Sequence, residues 1–390
     1  MTKLELLEII TNGENSAVEF KRDSIRGSDL AEEIVAFSNS EGGQILLGVE
    51  DDGQIIGTSR EEIEEWLMNI CSQSVIPGVV PHFERVMVEE GQYVVALRIP
   101  KGVNKPYQTT SGRFYIRVGT TKRLVSKEEL ARLFQMSGLV HFDTSPVSNT
   151  SQKDLEIGKI RKYYLNFNQF DLDEIEPDNT ERILLNSDIM TEVEGIKYCT
   201  VGGLLIFGEN PEEHLPQSGV SFAVYEGNEI SSKLLDKKNV EGTIDEVVDT
   251  TSKLIKTSLR IPSDIRDLKR QEKAVLPDIV IREVLVNAVV HRNYSISGSK
   301  IRVFVFSNHL EIISPGRLPN TVTVDKMKTG VSFSRNPFLM KYMENFRYVD
   351  RLGRGIPMVI SEMKKSLGIE PVFEERGEEF YVGLQFERTD

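Results

Sequence analysis

Cysteine is scarce in this sequence: Cys71 and Cys199 are the only two among 390 residues. They stand far apart with no C-x-x-C spacing, which excludes a zinc knuckle or a disulfide framework and suits a reducing cytoplasm. No apolar run approaches the ~18 residues needed to span a bilayer, so no membrane partner is expected. The opening Met1-Thr-Lys-Leu-Glu-Leu-Leu-Glu mixes acids with apolar residues, as an amphipathic helix does and a signal peptide does not. There is no G-x-x-x-x-G-K-[ST] and hence no P-loop. Internal repeats and low-complexity tracts are absent too. Basic residues are outnumbered, 47 Lys+Arg against 60 Asp+Glu, for a net charge of −13. That balance argues against general nucleic-acid binding driven by phosphate attraction.

What is present suits a multidomain protein, since domains run at roughly 100–200 residues. The charge is also uneven. From Arg98 to Lys127 there are eight basic residues and no acid: Arg98, Lys101, Lys105, Arg113, Arg117, Lys122, Arg123 and Lys127. Such an island either binds phosphates locally or is a plain basic surface. The element pattern is mixed α and β. Strands are expected at 17–21, 44–49, 86–88, 93–99 and 114–118, with helices at 29–38 and 59–71. The polar stretch 145–153 reads as a linker. Beyond it, strands are expected at 203–207, 220–225, 300–306, 310–314 and 380–386, and helices at 245–259 and 277–292.

One helix stands out. In Asp278-Ile-Val-Ile-Arg-Glu283-Val-Leu-Val-Asn287-Ala-Val-Val-His291-Arg-Asn, the residues Glu283, Asn287 and His291 recur at i, i+4 and i+8. They make one narrow polar stripe on a helix that is otherwise apolar. The stripe either faces solvent or is buried, and if buried it must find partners, because unpaired polar burial is costly. A nucleotide–Mg²⁺ complex would supply them.

The run E-x-x-x-N-A-x-x-H-R-N-Y resembles the N-box of GHKL ATPases, in the variant found near the C-terminus of RecG-related, "ATP-dependent DNA helicase-like" proteins. The resemblance implies ATP and Mg²⁺ as cofactors, with Asn287 on the metal and Glu283 activating water. Three further segments follow in the expected order. Ser314-Pro-Gly316-Arg-Leu-Pro319 resembles the first glycine box, then come Arg335-Asn-Pro337 and the second glycine box, Arg351-Leu-Gly353-Arg-Gly355. The resemblance places His291, Ser314, Gly316, Gly353 and Gly355 around the nucleotide. Ser314 stands where the family carries an Asp that reads the adenine amino group, and Leu318 replaces the second Gly of that box. Without a P-loop or a pair of motor domains, unwinding is not expected.

At the other end, Glu14-Asn-Ser-Ala-Val-Glu19-Phe-Lys21 and Phe37-Ser-Asn-Ser-Glu-Gly42-Gly43-Gln-Ile-Leu-Leu-Gly48-Val resemble the Schlafen-type AlbA domain, as does Phe114-Tyr-Ile-Arg117-Val-Gly119. That family implies nucleic-acid binding, DNA or RNA, with Lys21 joining the basic island. Some members cut tRNA at a three-carboxylate metal site. Glu14 and Glu19 match two positions, with Glu50 or Asp51 near the third, and such a cluster would take Mg²⁺ or Mn²⁺. Alternatively, Glu19 and Lys21 pair with their neighbours on a strand.

The expected architecture is therefore an α+β / α/β multidomain chain. Residues 1–140 form the AlbA-like domain, 141–153 a linker, 154–262 a connecting α/β domain and 263–390 the GHKL-type α/β sandwich. Many relatives continue into a winged helix, which is not expected before the end at Asp390. Two functions compete: an ATP-gated, nucleic-acid-binding regulator or defence component, expected to be a homo-oligomer, and a metal-dependent ribonuclease regulated by the ATP-binding part.

Overall fold

Thr2 starts the first element. Its hydroxyl accepts from Glu5 N, and Glu5 reaches back to Thr2 N at 2.7 Å, a capping box that opens helix α1 (Lys3–Asn12). The computed structural model describes residues 1–169, 171–172, 177–259, 276–319, 322–349 and 353–386. It divides into two units, Met1–Val140 and His141–Asp390.

In the first unit, strand β1 (Val18–Lys21) is followed by helix α2 (Gly27–Asn39) and strand β2 (Gly43–Leu47). Gly42 makes that passage possible. Its φ is +78°, and a Cβ there would lie 2.6 Å from Lys101 N, so only glycine lets the helix turn straight into the strand. Next come α3 (Ile63–Asn69), continued by a wide π-turn over Ile70–Ser74, and the short β3 (Val75–Ile76). The hairpin β4 (His82–Glu89) and β5 (Gln92–Ile99) follows, then β6 (Gln108–Thr109), β7 (Tyr115–Val118), β8 (Thr121–Leu124) and helix α4 (Lys127–Met136). The main sheet runs β1-β2-β5-β4, with β1 and β2 parallel across the α2 crossover. Alternation along β2 separates two cores. Ile45 and Leu47 pack with Leu30, Ile34 and Phe37 of α2, while Leu46 faces Leu6, Phe20 and Val94 on the other side.

The second unit contains α5 (Ile157–Tyr163), α6 (Pro177–Asn186), the hairpin β9 (Met190–Val193) and β10 (Ile196–Cys199), α7 (Val201–Phe207) and α8 (Pro211–His214). A second hairpin, β11 (Val220–Glu226) and β12 (Lys233–Val240), leads into α9 (Ile244–Leu259) and α10 (Asp278–Val290). The rest comprises β13 (Ile301–Val305), β14 (His309–Pro315), α11 (Val324–Lys328), α12 (Pro337–Asn345), α13 (Gly355–Leu367), β15 (Val372–Arg376) and β16 (Glu379–Gln385). Among the described residues the sheet is six-stranded, in order β12-β11-β13-β14-β16-β15. β11 runs parallel to β13 because α9 and α10 form the crossover between them. Helix α10 packs against α9, α13 and β14.

Three expectations meet a different structure. Residues 203–207, read as a strand, lie in helix α7: the Thr200 hydroxyl accepts from Gly203 N at 2.9 Å and caps the run. All seven residues of α7 are buried, so no periodicity distinguished helix from strand. The polar stretch 145–153 is built into the second unit. Val147 N donates to Cys199 O at 2.9 Å, and the Thr150 hydroxyl accepts from Cys199 N at 3.0 Å. Last, β11 and β12 come from the expected connecting domain, yet they share one sheet with β13–β16. The expected boundary at 262/263 lies outside the described residues.

Candidate functional site

The polar stripe of α10 is half-buried, between the two readings its spacing left open, while the neighbouring Val284, Leu285, Val286 and Ala288 are buried. Asn287 folds back along the helix. Its Nδ2 donates to the Glu283 carbonyl and to Glu283 Oε1, each at 2.8 Å. With both amide protons engaged, Asn287 Oδ1 is the group left to accept a proton or bind a hard cation.

A cavity of ≈ 330 Å³ lies over this stripe, and its wall includes Glu283, Asn287, His291, Ser314, Gly316, Gly353 and Gly355. These residues span three separate segments, and the fold brings them together. Gly355 opens α13 against Glu283: a Cβ there would meet Glu283 Oε1 at 1.8 Å. The backbone N–H groups at that helix start are the kind of donors that cradle anions. Gly330 and Gly353 touch backbone to backbone, since a Cβ on Gly353 would lie 2.4 Å from Gly330 O. The loop after α11 therefore rests on the second glycine segment. Arg351 and Leu352 of that segment, and residues 320, 321 and 350, lie outside the described residues.

Ser314 is buried, and its hydroxyl donates to Ala288 O at 2.8 Å. Its single proton is thereby used, and toward the cavity it offers only lone pairs.

Arg335 and Asn336 join the site in a way the sequence did not reveal. The last carbonyls of a helix lack intrahelical partners. Asn336 Nδ2 donates to Val290 O and Arg292 O at 2.8 Å each. Arg335 Nη1 donates to His291 O at 2.8 Å, and its Nη2 donates to Arg317 O. Together they fix the end of α10 and the Gly316 turn. Burial lowers the Arg335 pKa to about 10. It also lowers the His291 pKa to about 4, with Arg335 acting in the same direction, so His291 is a neutral ring at physiological pH. Arg292, equally buried, donates to the carbonyls of Asn293, Ile296 and Ser299 at 2.6–2.7 Å and shapes the loop after α10. The signal in the sequence was the pair of strings H-R-N-Y and R-N-P, but neither string reveals which carbonyls its donors reach.

In the first unit the expected residues divide. Arg117 turns inward: its Nη1 donates to Glu19 Oε2 at 2.5 Å and to Glu33 Oε2 at 3.3 Å, and its guanidinium stacks over Phe37 at 4.5 Å. Lys105 is also buried and donates to Ser40 O at 2.6 Å. Neither is placed to touch phosphate, because each satisfies interior acceptors. Lys21 bonds Glu19, Lys101 pairs with Glu41 at 3.0 Å and Lys122 pairs with Glu32 and Glu33 at 3.0 and 3.1 Å. Arg123 grips Glu129 through two bonds of 2.6 and 2.8 Å. Arg98, Arg113 and Lys127 are exposed.

Glu14, Glu19 and Glu50 each have their own hydrogen-bond or ion-pair partners. Glu14 Oε1 accepts from Phe20 N at 2.8 Å. Burial raises the Glu14 pKa, with the Glu19 and Asp51 charges nearby adding to the rise. Both Glu19 oxygens are held by Lys21 and Arg117. Glu50 pairs with Arg22 at 2.5 Å, and Asp51 is exposed. Among the described residues, no group of three His, Cys, Asp or Glu is placed to share a metal ion. The lysine and arginine partners of Glu19 occupy the oxygens that a metal would need.

Residues 14–126 match the family model "Schlafen, AlbA_2", and residues 298–384 match "Putative ATP-dependent DNA helicase recG C-terminal". The chain thus joins an N-terminal Schlafen AlbA-like domain to a C-terminal RecG-related GHKL-type domain in a multidomain α+β architecture. The second match begins after α10, so Ser314, Gly316, Gly353 and Gly355 lie inside it while Glu283 and Asn287 precede it. Among solved structures, the DIP2311 protein from Corynebacterium diphtheriae is similar at 20% identity and TM-score 0.47, over 96% of this chain and 65% of that one. The N-terminal domain of a "Putative ATP-dependent DNA Helicase RecG-related Protein" from Nitrosomonas europaea is 24% identical, with TM-score 0.26, over 32% of this chain and 92% of that one. No curated protein matches. No helix among the described residues is long and apolar enough to cross a membrane.

Proposed function

We propose that the second unit binds ATP with Mg²⁺ at the cavity over α10, and that this binding gates attachment of nucleic acid to the first unit. One observation carries the reading: Glu283, Asn287, Ser314, Gly316, Gly353 and Gly355 all line one cavity. The residues suit the cofactor. Asn287 Oδ1 is a hard oxygen donor, and Mg²⁺ typically takes one or two protein ligands and completes its shell with phosphate oxygens and water. That division of labour needs no cluster of protein acids. The glycine at 355 leaves room where any side chain would strike Glu283, and the start of α13 presents N–H groups to an anion. Ser314 presents an acceptor to an exocyclic amino group, as an Asp would, but without the charge. Mg²⁺ would screen the phosphate charge. To Glu283, held by Asn287, we assign the uptake of a proton from water.

For the first unit, the AlbA-like match supports a nucleic-acid partner, and the exposed Arg98, Arg113 and Lys127 are the cations we assign to phosphate contact. The reading involves no strand unwinding, in keeping with the missing P-loop.

The test is isothermal titration calorimetry of the full chain with a non-hydrolysable ATP analogue and Mg²⁺. Wild type should bind, Asn287→Ala should lose binding by at least tenfold, and Glu283→Gln should keep it. Equal affinity for wild type and Asn287→Ala would remove Asn287, and with it this site, from the proposal.

A further inference from the structure

Both edges of the six-stranded sheet are open among the described residues. β12 has only β11 as a neighbour, and β15 has only β16. An open edge displays a row of unpaired N–H and C=O groups and is a template for another strand. Natural edges are usually short or shielded; β12 runs for eight residues, Lys233–Val240, with one break in its register to β11 at Leu235. All but Asp236 and Val240 are exposed, and Leu234 and Leu235 retain 48% and 54% of their surface. Ile230, in the turn that leads into β12, adds a third exposed apolar side chain at 59%.

The two edges carry opposite charge. On β12, Lys233, Lys237 and Lys238 stand against Asp236 alone. The β15 edge and its turn into β16 carry Glu374, Glu375, Glu378 and Glu379 against Arg376, with Glu370 just ahead of β15, and residues 374–378 are all exposed. Glu375 pairs with Arg317 and Glu379 with Arg302, both partly buried. The other local ion pairs, Lys233–Glu226, Lys238–Asp236, Lys364–Glu370 and Arg376–Glu374, have 44–74% of each side chain in solvent. Such pairs contribute little and exchange partners readily.

We infer that the β12 edge of one copy of this chain pairs with the β15 edge of a second copy, extending the six-stranded sheet from molecule to molecule. The occupant is a second copy because each edge meets its complement in charge on the opposite edge of the same sheet. β12 against β12 would bring lysine to lysine, and β15 against β15 glutamate to glutamate. Pairing of two different patches is heterologous, so it builds a ring or an open chain rather than a closed two-fold dimer. The inference does not depend on the nucleotide reading.

Sedimentation velocity of the full chain tests it, over a concentration series at low ionic strength. Variant A carries Lys233→Glu, Lys237→Glu and Lys238→Glu. Variant B carries Glu370→Lys and Glu374→Lys, leaving untouched Glu375, which accepts from Leu318 N at 2.7 Å. Circular dichroism confirms that both fold, as substitutions at exposed positions should. Wild type is expected to self-associate, and A and B should each sediment at the protomer mass. Equimolar A plus B should associate again, because each now offers the other an opposite charge. A wild type that stays at protomer mass throughout overturns the inference. So does association that survives in either variant, or an A plus B mixture that fails to assemble.

Discussion

Arg117 Nη1 lies 2.5 Å from Glu19 Oε2, and only 2% of the arginine side chain and 6% of the glutamate side chain remain in solvent. Glu19 is the acid of the E-F-K string on β1, and Arg117 belongs to the F-Y-I-R-V-G string on β7. Two strings nearly a hundred residues apart are thus a single buried ion pair, with Glu33 on α2 as third member. Deleting one partner of a buried pair leaves the other charge desolvated and costs about 3–5 kcal/mol. Arg117→Ala should lower the urea midpoint accordingly. Trp66 is the only tryptophan, so its fluorescence follows the first unit selectively. The double variant Arg117→Ala with Glu19→Ala should cost less than the sum of the two single changes.

Nucleic-acid affinity should depend on three of the eight cations in the basic run rather than on all of them. Fluorescence anisotropy with labelled duplex DNA and single-stranded RNA should show the triple change Arg98→Ala, Arg113→Ala and Lys127→Ala weakening binding to all sequences alike. It should also flatten the slope of log affinity against log salt, because each lost phosphate contact removes roughly one released counterion. Unchanged affinity would take these three residues out of the interface.

Gly355→Ala isolates the geometry of the cavity. The added methyl would sit 1.8 Å from Glu283 Oε1, so Glu283 or the start of α13 must move, at an overpacking cost of about 1–3 kcal/mol. Calorimetry should show nucleotide affinity falling tenfold or more while the Trp66 unfolding curve of the first unit stays in place. Normal nucleotide binding in this variant would show that Glu283 and the α13 start do not shape the site.

Asp143 gives the protein a pH dependence with a defined sign. It is fully buried, it accepts from Phe338 N at 2.8 Å and Leu339 N at 3.3 Å at the start of α12, and among the described residues its Oδ1 has no partner. Burial raises its pKa to about 6, against which those N–H groups and a nearby His141 charge act. A carboxyl with a raised folded-state pKa contributes its full stability below the unfolded value, near 3.8, and loses it as pH rises through about 6. Asp143→Asn keeps an acceptor for the two N–H groups and removes the charge. Relative to wild type, its melting temperature should therefore climb between pH 4.5 and pH 8, by the equivalent of about 2 kcal/mol. Scanning calorimetry across that range measures the slope, and a gap that does not change with pH would assign the stability of this helix start to something other than Asp143 ionisation.

The sequence by itself determined the local chemistry. The i, i+4, i+8 stripe on an apolar helix placed Glu283, Asn287 and His291 on one face, because helical geometry is a matter of spacing alone. Gly42-Gly43 marked a helix passing into a strand, since only glycine tolerates that turn. Most strands followed from alternation and turn residues. Periodicity failed where every residue is buried, so α7 read as a strand until the Thr200 cap decided it.

Only the tertiary structure decided what each charged group faces. Arg117 and Arg113 stand four positions apart in one basic run, yet Arg117 is sealed beneath Phe37, Glu19 and Glu33 while Arg113 is exposed. Asn336 looks like an ordinary polar residue before a proline, but it is buried against the last carbonyls of α10. The residues of the six-stranded sheet were expected in two separate domains until β11 paired with β13. Each of these depends on contacts across tens or hundreds of positions. Such contacts are set by packing and by the need to satisfy every buried donor and acceptor, and no local window of sequence encodes them.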